Sequence, residues 1–122
     1  MSTLKKFLIV DDSMVSRMMT KNVIGKLRPN WTFLEASNGA DAISLCAQYK
    51  IDVACIDLNM PGINGIDAAI EIHKIWPTIN ITIMTANIQT TVQEKILEQG
   101  FSFIAKPLTA NKGPDLLKAL GE

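Results

Sequence analysis

Five short apolar runs recur along the chain: KFLIV (6–10), TFLEA (32–36), IDVACI (51–56), NITIMT (80–85) and FSFIA (101–105). Stretches of helical character separate them. A parallel strand cannot be joined to its neighbour by a hairpin, so each needs a crossover, and in such sheets the crossover is a right-handed helical one. KFLIV, DVACI and NITIM are apolar almost without interruption, as strands buried on both faces are. The alternation therefore predicts an α/β fold, with one mostly parallel sheet of five strands covered by helices on both faces.

The punctuation agrees. Helices are expected to begin near Ser13, Gly39, Asn64 and Thr90, with a last one after Pro114. Asp12 or Ser13 can cap the first, whose Val15, Met19 and Val23 recur every four residues. Pro29-Asn30 stops it, and Ser37-Asn38-Gly39 starts the second. Trp76 precedes Pro77 and is pushed out of the helical region, which ends the third. Gly100 suits the C-terminus of the fourth and Pro114 the first turn of the fifth.

Composition narrows the functions open to such a fold. At 122 residues, 48% hydrophobic and 20% charged, the chain is expected to form one domain over residues 1–122. Its twelve basic and twelve acidic residues cancel, so no global field favours nucleic acid or anionic lipid. No apolar stretch reaches the length of a membrane span, and the MSTLKK start lacks a signal peptide's apolar core. A cytoplasmic location follows as the expectation. Cys46 and Cys55 lie in apolar periodic segments rather than in a C-x-x-C, and are expected to be buried thiols.

In open parallel sheets ligands sit beyond the carboxyl ends of the strands. Asp11 and Asp12 follow the first predicted strand, Asp57 and Asn59 the third, Thr85, Ala86 and Asn87 the fourth, and Lys106-Pro107 the fifth. Each has an ordinary reading: a cap, an Asx turn ahead of Pro61-Gly62, a last β-branched strand residue, a solvated strand end. Together those readings leave three carboxylates crowded at one edge with nothing named to neutralise them. A hard divalent cation resolves the repulsion, with Asp11 or Asp12, Asp57 and a loop carbonyl as its protein ligands and magnesium as the expected ion. An aspartate oxygen can then attack phosphorus, while Lys106 neutralises the transferred group.

The set Asp11-Asp12, Asp57 with NMPGING (59–65), Thr85-Ala86 and Lys106-Pro107 resembles the receiver domain of two-component response regulators. The motifs come in that family's order and span essentially the whole chain. The resemblance implies a flavodoxin-like (βα)5 fold with strand order 2-1-3-4-5. It implies that Asp57 accepts phosphoryl from a sensor histidine kinase or phosphotransfer protein. Asp11, Asp12, Asp57 and the backbone carbonyl of Asn59 would hold Mg2+. Lys106 would pair with the phosphoryl group, Thr85 would hydrogen-bond it, and the small Ala86 would let it approach. Asn59 and Asn87 stand where the family tunes dephosphorylation, and the Lys106–Pro107 bond would be cis. Thr85 and Phe103 would act as the switch, changing the surface formed by the fourth helix, fifth strand and fifth helix.

Two departures from the family stand out. Phe103 replaces a frequent tyrosine, so its inward state is expected to rest on burial alone. Residues Leu108 to Gly113 intervene before the last helix, which is left about two turns long. Other residues are discounted: His73 as surface, Lys5-Lys6 as a solvated strand start, and Trp31 and Trp76 as covers for sheet edges. Met14, Met18, Met19 and Met60 are expected to fill gaps in the core or loops. The leading expectation is a stand-alone switch that binds a protein partner, with neither nucleic-acid binding nor membrane insertion and no sustained enzymatic turnover. A phosphorelay intermediate or the excised receiver of a larger regulator is the alternative. A magnesium phosphatase or nuclease fits less well, because DD at 11–12 lacks the D-x-D spacing and Asp57 has no second acid beside it. A flavin site would need a hydroxyl-rich loop where DDSMVS is acidic.

Overall fold

The computed structural model describes residues 4–87 and 89–122. Five parallel strands, β1 (Lys6–Val10), β2 (Thr32–Ala36), β3 (Val53–Asp57), β4 (Asn80–Thr85) and β5 (Ser102–Ala105), form one sheet in the order β2-β1-β3-β4-β5. The crossovers are α1 (Met14–Leu27), α2 (Gly39–Gln48), α3 (Gly65–Ile75) and α4 (Thr90–Glu98), and α5 (Gly113–Ala119) closes the chain. This is the flavodoxin-like arrangement expected. Among the described residues, no helix is long and apolar enough to cross a membrane.

Alternation along the strands divides the core in two. Phe7, Ile9, Val53, Cys55, Met84 and Ile104 pack with Ile24 of α1 and Leu116 and Leu117 of α5. Leu8, Val10, Ala54, Ile56, Ile81 and Ile83 pack on the other face with Ala42, Cys46, Ala69, Ile72 and Ile96 of α2, α3 and α4. Both cysteines are buried and free. Burial pushes the Cys46 thiol up to about 11 and Cys55 higher still, so neither is a reactive thiolate.

The caps follow the sequence. Ser13, Asn38 and Asn64 each accept a backbone N–H three residues ahead, at 3.2, 2.8 and 2.9 Å. Trp76 terminates α3, and Gly100, at φ +86°, follows α4 in a conformation glycine adopts without strain. The last helix is short, as expected, with seven residues after a single 3₁₀ turn at Ala110–Lys112. Lys112 Nζ reaches back to the carbonyls of Ala105 and Pro107 at 3.3 and 3.2 Å, bracing the loop after β5. The Lys106–Pro107 bond is cis.

Several expectations are corrected. β3 starts two residues later than the apolar run suggests and includes Asp57; Asp52 instead accepts the Lys6 N–H at 2.8 Å from outside the strand. FSFIA loses Phe101 from its strand. The inner face of α1 is Thr20 and Ile24, not Val15 and Met19, which are 66% and 37% exposed. The expected and observed stripes share the spacing of four and differ by one residue, about 100° of rotation, which spacing alone does not fix; of the expected stripe only Val23 packs against the core. Met14 and Met18 are exposed as well, and of the four methionines only Met60 packs against the core. Trp31 is buried before β2, edge-on to Phe7, while Trp76 ties α3 to α2 by donating its indole N–H to the Cys46 carbonyl at 2.8 Å. His73 is exposed, as expected.

Gly65 sets how closely α3 meets the end of β3. A Cβ there would lie 2.3 Å from the Asp57 carbonyl oxygen and 2.8 Å from Leu58 Cα, both backbone atoms. Gly65→Ala is therefore expected to cost about 2 kcal/mol or more in urea unfolding, within or above the usual range for overpacking.

Candidate functional site

The register of the sheet assembles an acidic edge. β1 and β3 are neighbours, with Val10 opposite Ile56, so the residues that follow them emerge side by side. Asp11 continues the alternation of Phe7 and Ile9, and Asp57 that of Val53 and Cys55, which brings both carboxylates to the α1–α5 face. Lys106 continues the alternation of Ile104 on β5 and reaches the same place. Its ammonium lies 2.9 Å from Asp11 Oδ2 and 3.4 Å from Asp57 Oδ1. Asp12 is exposed, yet carboxylate oxygens of Asp11, Asp12 and Asp57 lie within 4.8 Å of one another.

Burial and charge act differently on the three groups. Burial would raise Asp11, but hydrogen bonds from Lys106, Ser16 and the Ser13 N–H outweigh it and hold the carboxyl below its ordinary value. Asp57 is pushed up, by burial first and then by the charge of Asp11, with Lys106 and the Asn59 N–H opposing only in part. Lys106 loses something to burial but is raised by its two acidic partners. The ammonium thus serves Asp11 more fully than Asp57. Asp57 is left as the buried carboxylate whose charge is least compensated, and hence the one with most to gain from a cation or a covalent change.

The other expected residues border this cluster. Asn59 and Ala86 are exposed at the rim. Thr85 ends β4 next to β3, and its hydroxyl accepts the Asn87 N–H at 2.9 Å within its own loop. Phe103 is half-buried on the α4 face, where the pairing of Thr85 with Ala105 sets both Thr85 and Phe103 on the same side of adjacent strands. Beside Lys106 a cavity of about 370 Å³ opens between α1 and the loop after β5, lined by Val15, Met19, Pro107 and Leu108 among others.

Sequence reasoning missed Arg17. Its guanidinium donates to the Asp11 backbone carbonyl at 2.7 Å and to Glu35 of β2 at 3.1 Å. No spacing rule links an arginine one turn into a helix with a glutamate on another strand.

A family model described as the response regulator receiver domain matches residues 7–119. The chain is 36% identical to the chemotaxis protein CheY of Thermotoga maritima, over 97% of its own length and 98% of that protein's. Among solved structures it resembles Vibrio cholerae chemotaxis protein CheY4, with TM-score 0.85 and 20% identity over 97% of this chain and 99% of that one. It also resembles a Burkholderia pseudomallei response regulator bearing a phosphorylated aspartic acid and a calcium ion, with TM-score 0.81 and 22% identity over 95% of this chain and 66% of that one.

Because the folded state raises Asp57, its ionised form opposes folding above the carboxylate range, and the opposition vanishes once both states are protonated. Asp57→Asn is expected to raise the thermal midpoint of the metal-free protein at pH 7. The gain should fade as pH falls below about 4, the ordinary carboxylate value. Melting curves of both proteins from pH 3 to 8 check this; a midpoint lowered at pH 7 would contradict the assigned repulsion.

Proposed function

The chain belongs to the response regulator receiver domain family, and on that premise we propose that it is a phosphoacceptor switch whose modified surface is read by a protein partner. The observation that carries this reading is the convergence of Asp57, Asp11, Asp12 and Lys106 on one sheet edge. Residues 1–122 act as one receiver in this proposal, in the cytoplasm and without direct nucleic-acid contact.

A divalent cation suits the donor set. Three carboxylates offer hard oxygen ligands within reach of a common point, and their mutual repulsion favours an ion among them. Asp11, Asp12, Asp57 and the Asn59 backbone carbonyl would hold Mg2+. When bound, the ion would supply charge neutralisation for the carboxylates and for the phosphoryl oxygens.

The chain's own residues perform the rest. The free Asp57 oxygen attacks phosphorus as the bond to the donor's imidazole nitrogen breaks, and that nitrogen keeps the bonding pair. Lys106, already between Asp11 and Asp57, balances charge on the incoming group. The modification adds nearly two negative charges and three acceptor oxygens, enough to draw the Thr85 hydroxyl from its bond to Asn87. Phe103, on the same side of the neighbouring strand, then moves into the space that Thr85 leaves, and the α4–β5–α5 surface changes. The Burkholderia pseudomallei regulator, with its phosphorylated aspartic acid, supports a fold of this kind carrying such a group. The exposed Met14, Val15 and Met18 beside the acidic edge suit contact with the protein that delivers phosphoryl.

Incubation with Mg2+ and acetyl phosphate is expected to leave one hydroxylamine-labile phosphoryl group per chain, on Asp57, and none on Asp57→Asn. Intact mass and peptide mapping read this, whereas sustained turnover of phosphomonoesters would point to an enzyme. Asn59 stands at the rim, where its amide can orient an attacking water. Asn59→Met is therefore expected to change the decay rate of the adduct several-fold, and unchanged decay in a single-turnover assay would remove that role.

A further inference from the structure

The Asp11–Asp12 peptide is held more tightly than an ordinary strand-to-helix loop requires. The Asp11 N–H donates to the Ala36 carbonyl at 3.1 Å, which extends the β1–β2 ladder by one residue. Asp11 Oδ1 accepts the Ser13 N–H at 2.9 Å, and Oδ2 accepts from Lys106. The Asp11 carbonyl, which belongs to the peptide carrying the Asp12 N–H, accepts from Arg17 Nη1 at 2.7 Å. Arg17 is itself oriented by Glu35, whose second oxygen lies 3.8 Å from Lys21.

Asp11 is thus anchored through its side chain and both of its peptide groups. Asp12 is different: among the described residues, no hydrogen bond or ion pair holds its carboxylate, although its oxygen contributes to the acidic cluster. What sets its direction is the plane of the preceding peptide. A guanidinium gripping that peptide's oxygen prevents it from rotating, and so fixes where Asp12 leaves the backbone.

We propose that Arg17 is a positioning residue for the cation site, acting through the Asp11 carbonyl to aim the Asp12 carboxylate. The proposal rests on the reading of the acidic edge as a divalent-cation site, and it makes a prediction of opposite sign to simple electrostatics. Removing a positive charge that is hydrogen-bonded to the Asp11 carbonyl should leave cation binding unchanged or tighten it if charge alone matters. Removing a positioning contact should weaken it, and outer contacts of this kind typically carry a 10- to 100-fold effect on metal affinity, or about that order. Arg17 also differs from lysine here, because its planar fork serves a carbonyl and a carboxylate together while an ammonium is a single point of charge.

The test is calorimetric titration of the 122-residue chain with MgCl2, with no phosphodonor present, on wild type, Arg17→Gln and Arg17→Lys. Both variants are expected to bind Mg2+ about tenfold more weakly. In acetyl phosphate assays, the Mg2+ concentration for half-maximal rate should rise to match, with the rate at saturating Mg2+ close to wild type. A structural role alone would not produce that split. Arg17→Lys keeps the charge and so guards against a poorly folded glutamine variant. Affinity equal to or tighter than wild type in either variant would overturn the role of Arg17. A wild-type chain that takes up no Mg2+ would overturn the cation reading and this role with it.

Discussion

One ammonium lies between two buried carboxylates at the edge of the sheet, and the site depends on how unequally it is shared. Lys106 sits 2.9 Å from Asp11 and 3.4 Å from Asp57, both of which are largely withdrawn from water. Removing Lys106 would leave the two carboxylates facing each other with no partner charge, which is costly where both are withdrawn from water. With Lys106 committed first to Asp11, Asp57 carries residual repulsion. Of the two buried carboxylates, the less compensated is the one that the proposed chemistry would modify.

The sheet makes that proximity possible. Asp11 and Asp57 are far apart in sequence but stand at the carboxyl ends of adjacent strands, and period-two alternation turns both to the same face. Lys106 arrives from β5, beyond β4, on a side chain long enough to cross that strand's end. Gly65 lets α3 begin against the Asp57 carbonyl, and Lys112 braces the loop behind Lys106. The short α5 is therefore joined to the site through that loop as well as through its packing on β5.

How far the chain could be read in advance varied with the kind of signal. Strands buried on both faces announce themselves by unbroken apolar runs, and Ser13, Asn38, Asn64 and Gly100 mark helix ends by local chemistry, so both were legible. The face of α1 was not. A spacing of four marks a helix face but not its phase, and a shift of one residue, about 100°, leaves Val15 and Met19 in solvent while Thr20 and Ile24 go inward. Methionine reads as core by composition, but whether Met14 and Met18 are covered depends on what packs against the first turn of α1. Arg17 and Glu35 escaped for a related reason, since nothing local pairs a helix residue with a residue on another strand.

The sequence by itself determined the alternation of strands and helices, the parallel sheet, and the candidates Asp11, Asp12, Asp57, Thr85 and Lys106 at its carboxyl edge. Those follow from burial and backbone stereochemistry, which act over a few residues and leave a pattern in the chain. Tertiary structure alone decided how Lys106 is divided between Asp11 and Asp57, that Thr85 is turned to its own loop, and that Arg17 grips the Asp11 carbonyl. These are matters of a few tenths of an ångström to a few ångströms between groups distant in sequence. Coulombic and hydrogen-bond energies vary steeply over such distances, and only the packed fold fixes them.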